Sequence, residues 1–145
     1  MPHDPARLAE TREWLQKASL DLRGARIDLA ADPPLLEDAL FHCQQTVEKT
    51  LKAFLAWHDQ PFRKTHSLEE LGAACESLDG TLKDVIDPAV PLTEFAWAFR
   101  YPGDHPVPTV DEARQGLATA VRAVEGVVSR LPTEAVPPAL LNPNL

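Results

Sequence analysis

Residues 41–58, FHCQQTVEKTLKAFLAWH, decide the fold. With the residues just before them they place Leu36, Leu40, Cys43, Val47, Leu51, Phe54 and Leu55 at three- and four-residue spacings, which puts an apolar stripe along one helix from about Leu35 to His58. Upstream, Leu15, Ala18, Leu22, Ala25 and Leu29 repeat the pattern over about Pro5 to Ala31, and Asp32-Pro33-Pro34 stops it. Two long helices joined by so short a connection predict an antiparallel hairpin. Downstream, the loop DQPFRKTH leads into SLEE, where Ser67 and Glu70 have capping-box spacing ahead of Leu68, Leu71, Cys75 and Leu78. Beyond a mixed stretch from Asp79 to Pro91, LTEFAWAFRY predicts a short fourth helix closed by Pro102. TVDE, with Thr109 and Glu112, caps a fifth helix reaching about Arg130. No segment alternates as a strand does, so the fold is read as all-α, an up-and-down antiparallel helical bundle of about five helices over residues 1–131. The Pro-rich tail, 132–145, is expected to be extended or disordered.

A chain of 145 residues with 44% hydrophobic and 25% charged residues suits one domain with one core. Its net charge of -8 argues against a surface that wraps duplex nucleic acid, because such binding needs clustered Lys and Arg to release counterions. The charge is uneven, however. Residues 49–66 carry Lys49, Lys52, Arg63 and Lys64 against Asp59 alone, so an anion site is expected there. No run of about 18 apolar residues is present, and the N-terminus is too polar for an export signal, which predicts a cytoplasmic protein without a membrane span. Cys43 and Cys75 sit in apolar patterns and read as buried reduced thiols. The five histidines lack the spacing that pairs two ligands on one helix face, so neither a metal nor another cofactor is expected.

Two groups of residues carry chemistry. On the second helix His42, Gln45, Lys49 and Lys52 share a face opposite the apolar stripe, all able to donate hydrogen bonds to phosphate or ribose oxygens. That face reads either as a ligand-binding surface or as an ordinary solvated one with a Glu48–Lys52 pair. In FRYPGDHPVP, residues 99–108, Arg100 precedes His105 by five positions. An arginine clamps a phosphate and a histidine moves protons near neutral pH, a combination suited to metal-free cleavage of RNA through its own 2′-hydroxyl. Pro102 and Gly103 break the helix between them, so the pair also reads as a structural turn, with Arg100 bonded to a carboxylate such as Asp104.

FHCQQTVEKTLKAFL, KTHSLEEL and RYPGDH, followed by a long final helix, closely resemble the HEPN domain family over about residues 8–130. The resemblance implies a five-helix bundle, commonly a homodimer, in a superfamily of nucleotide-binding domains and metal-independent endoribonucleases. Many members accompany a minimal nucleotidyltransferase, some as toxin and antitoxin. The catalytic arginine and histidine of the ribonuclease members map by resemblance onto Arg100 and His105. Tyr101 stands where active enzymes usually carry a small polar residue, and Val107 where toxins paired with a nucleotidyltransferase tend to carry a tyrosine. Three functions follow as expectations. The first is a dimeric nucleotide- or RNA-binding module beside a nucleotidyltransferase, with His42, Gln45, Lys49, Lys52 and Tyr101 as ligand-binding residues and Arg100 on phosphate. The second is a ribonuclease using Arg100 and His105. The third is a dimeric scaffold in which Trp97, Phe99 and Tyr101 are buried between subunits.

Overall fold

The computed structural model describes residues 3–103 and 105–142, and they form an all-α bundle without strands. Helix α1 spans Pro5–Ala30 and α2 spans Leu36–Trp57. The two run antiparallel, since residue numbers rise along one as they fall along the other: Arg7 meets Asp59, Trp14 lies under Lys52, and Asp21 bonds Lys49 and His42. Asp4 caps α1 by accepting the Ala6 N–H at 2.9 Å, and Pro5 occupies the first turn, where a missing N–H is harmless.

Helix α2 is the axis of the molecule. It packs against α1, against α3 (Leu68–Leu78), against α5 (Val110–Val128) and against a ten-residue 3-10 helix, Asp87–Ala96. Surrounded in this way, it buries every residue from Thr50 to Ala56, so the stripe read from its sequence is only part of its buried surface. Gly116 lets α5 approach closely, since a Cβ there would fall 2.8 Å from Leu40 Cδ2. The core gathers Leu15, Leu22, Val47, Leu51, Phe54, Leu71, Ile86, Val124 and Val127, each no more than 2% exposed.

Both predicted caps form. Ser67 Oγ accepts the Glu70 N–H at 3.1 Å and Thr109 Oγ1 accepts the Glu112 N–H at 3.0 Å. The Glu70 side chain, however, turns outward to Arg63, and the Ser67 N–H donates to Thr65 instead, so half of the capping box is rewired.

Two expectations are corrected. The fourth helix is the 3-10 segment, which ends at Ala96 well before Pro102; Pro88 and Pro91 supply no N–H, so a regular α-helical ladder cannot run through it. A one-turn helix α4, Lys83–Ile86, precedes it. The tail is also not extended: a 3-10 turn at Thr133–Ala135 and helix α6, Pro138–Leu141, fold back on α1 and α5. Ala135, Val136 and Leu140 are the reason, being 0%, 3% and 1% exposed, and Arg12 ties the turn down by donating to the Glu134 carbonyl at 2.8 Å. Residues 143–145 lie outside the described residues.

Candidate functional site

The donor-rich face of α2 turns inward onto carboxylates. Asp21, buried on α1, receives Lys49 Nζ at 2.5 Å on one oxygen and His42 Nδ1 at 2.9 Å on the other. The His42 ring lies against Gly24, where a Cβ would come within 3.2 Å of it. Its Nε2 stands 3.5 Å from Asp38 Oδ2, one turn earlier on α2. Asp28, also buried, completes the group from α1. Burial pushes the Asp28 carboxyl up to about 6, the facing Asp38 carboxyl adds to the rise, and His42 opposes it.

Further along α2, Lys52 is buried beside Glu48, 3.0 Å away, and lies over the rings of Trp14 and Phe62. Glu48 also takes His66 Nδ1 at 2.7 Å and the Gln44 amide at 3.2 Å. Burial alone would raise this carboxyl, but the bonds from His66 and Lys52 outweigh it and hold Glu48 below the usual carboxylate range. Gln45 donates to Gln44 at 2.6 Å. The four residues of this face therefore fall into two networks, His42 and Lys49 on Asp21, and Lys52 on Glu48 with Gln45 attached through Gln44. Arg63, from the segment expected to attract anions, is held by Glu70 at 2.9 and 3.0 Å.

A groove of about 530 Å³ opens between the start of α2 and the segment after the 3-10 helix. Leu35, Asp38 and Phe41 line one wall, and Phe95, Trp97 and Arg100 the other. Phe95 and Phe99 stack with centroids 5.5 Å apart and planes 10° apart, and His105 meets Phe99 edge-on at 5.9 Å. The turn between Arg100 and His105 contains Gly103 at φ 82°, a conformation that glycine adopts without strain. Arg100, Tyr101 and His105 are all exposed, while Phe99 is half-buried and links the Arg100 wall to His105. Asp104, considered above as a partner of Arg100, lies outside the described residues.

Cys43 and Cys75 are buried free thiols, and desolvation pushes both up to about 12, so neither is a thiolate at neutral pH. No described helix is long and apolar enough to cross a membrane. Asp21, Asp28 and Asp38 were not among the residues singled out from sequence. The legible signal was the spacing of Asp21 and Asp28, which extends the three- and four-residue stripe of α1 and replaces the expected Leu29 at its end.

The chain matches the HEPN domain family over residues 11–131, and it belongs to that family. Its function is therefore of the kind these domains carry, concerned with nucleotides or RNA. No curated protein and no solved structure matches it.

Proposed function

We propose that the protein is a nucleotide- or RNA-binding module that receives its ligand in the groove between the start of α2 and residues 95–100. One observation carries this reading: a guanidinium, Arg100, stands on the wall of a groove that Phe41, Phe95 and Trp97 also line, facing Glu37 and Asp38 at the start of α2. Aromatic faces accept a base of any sequence by stacking, and Arg100 supplies the bidentate donor for the phosphate attached to it. Tyr101, next to Arg100 in the chain and 71% exposed, supplies a further ring for stacking outside the groove. His42, Gln45, Lys49 and Lys52 then act from within the bundle, fixing the α1–α2 hairpin that forms the opposite wall, through the Asp21 and Glu48 networks. Family membership supports the two remaining parts of the reading, a homodimer and a role as accessory subunit to a minimal nucleotidyltransferase.

Calorimetry with a panel of mononucleotides and short single-stranded RNAs tests the ligand. Binding in the micromolar range, weakened at least tenfold in Arg100→Ala, is the expected result. Affinity no better than millimolar for every member of the panel would remove the proposal.

A second reading has its own observation, the contact of His105 with Phe99, which places the imidazole on the aromatic cluster that Arg100 flanks. In that reading His105 is the general base and then the acid of RNA cleavage, and Arg100 stabilises the crowded phosphate. It requires fragments ending in 2′,3′-cyclic phosphate that disappear with His105→Ala. Equal cleavage by wild type and variant would assign the activity to a contaminant.

A further inference from the structure

The group at the end of the α1–α2 hairpin has a geometry that neither the bundle nor the groove requires. His42 Nδ1 is engaged by Asp21 at 2.9 Å, which orients the ring and directs Nε2 to the other side. On that side stands Asp38 Oδ2, at 3.5 Å. Asp28 closes the group: one ligand atom from each of Asp28, Asp38 and His42 falls within 4.8 Å of the others. Asp28 is only 6% exposed, and its Oδ2 is buried without a hydrogen-bond donor among the described residues. What faces it is another carboxyl, Asp38. Two carboxyls so placed, one of them buried, either share a proton or take a positive charge between them.

The spacing suits an ion. Ligand atoms about 2.1 Å from a common metal lie about 3.0–3.4 Å apart in octahedral or tetrahedral coordination, so the His42–Asp38 pair, at 3.5 Å, is close to that separation, and the group, spread within 4.8 Å, closes on an ion by a movement of about 1 Å. The donor set is one imidazole nitrogen and two carboxylate oxygens, which favours a transition-metal ion over magnesium or calcium. Two carboxylates neutralise its charge. Asp38 is exposed and also lines the groove, so an ion has a route in and keeps coordination positions open toward water.

We propose that Asp28, Asp38 and His42 bind one divalent transition-metal ion such as zinc, with Asp21 as the residue that orients His42. This site stands on its own observations and is independent of the ligand proposed for the groove.

The full chain, stripped with chelator and dialysed, is titrated by calorimetry with Zn²⁺ and separately with Mg²⁺, alongside circular dichroism to verify that each variant is folded. One equivalent of Zn²⁺ should bind, at least tenfold more tightly than Mg²⁺. Asp38→Asn, at an exposed position that the core does not use, should weaken Zn²⁺ at least tenfold, and so should Asp28→Asn. Asp21→Asn should weaken it about tenfold while keeping the stoichiometry at one, the behaviour of an orienting partner rather than a ligand. Absence of saturable binding in the wild type, or Zn²⁺ affinity unchanged in folded Asp38→Asn, would overturn the proposal and leave Asp28 and Asp38 as a carboxyl pair sharing a proton. Mg²⁺ binding as tight as Zn²⁺ would overturn the part given to His42.

Discussion

Glu48 carries more of the α2 interior than its neighbours, because its two oxygens hold Lys52, His66 and Gln44 at once. Lys52 is 7% exposed, so deleting the carboxylate strands a buried ammonium. Glu48→Ala is therefore expected to lose about 3 kcal/mol in urea denaturation at neutral pH. Glu48→Ala combined with Lys52→Met, which removes both charges, should recover most of that loss. The same carboxyl sets an acid limit. Its folded pKa lies below its ordinary value of 4.5, so its contribution is present above that value and fades as pH falls through the lowered one. Stability followed from pH 6 down to pH 3 should drop more steeply in the wild type than in Glu48→Gln. From sequence, Glu48 and Lys52 read as an ordinary pair one turn apart, and nothing local distinguishes a wet pair from a buried one. Only the arrival of Trp14 from α1 and Phe62 from the following loop, each distant in the chain, takes the pair out of water.

At the scale of elements, what local chemistry determines was legible and what tertiary packing determines was not. The caps at Ser67 and Thr109 were readable because a hydroxyl three residues ahead of a free N–H is a local arrangement. Ser67→Ala and Thr109→Ala should each remove about 1 kcal/mol in thermal or urea unfolding, with no change in circular dichroism below the transition. The fourth helix misled because LTEFAWAFRY has no proline before Pro102 and so reads as continuing to it, while Pro88 and Pro91 upstream remove two backbone N–H groups and Asp87–Ala96 winds as a 3-10 helix that ends sooner. The tail misled differently. Four prolines and no period suggested extension, yet Ala135, Val136 and Leu140 fill a gap between α1 and α5 that was not apparent until those helices were placed. Leu140 is 1% exposed, so Leu140→Ala should destabilise the whole molecule by about 2–4 kcal/mol, a loss that a loosely attached tail would not produce.

At the scale of the whole molecule, the long-range arrangement was legible through the two helices that dominate it, and the groove was not, since its walls come from the start of α2 and from residues about sixty positions later. Around that groove the surface is more apolar than an acidic monomer requires. Leu35, Trp97, Tyr101 and Val107 are 54%, 51%, 71% and 80% exposed, in a chain whose net charge is -8. Large apolar side chains gathered about one arginine have the composition of an interface centre, where Trp, Tyr and Arg carry most of the binding energy. If two copies meet on this face, Trp97 is the side chain whose loss is felt most, because it is the largest of the four and Trp is the residue type most enriched where binding energy concentrates. Trp97→Glu should then weaken self-association by about 2 kcal/mol, roughly 30-fold, visible as a shift toward monomer in sedimentation velocity over a dilution series. The monomer itself should be little affected, since the ring is half in water already, so the unfolding midpoint measured at low concentration should stay close to the wild-type value. A wild type that sediments as monomer throughout the series, or a variant that associates as strongly as the wild type, removes this face as the contact between copies and leaves the groove open to ligand from a single chain.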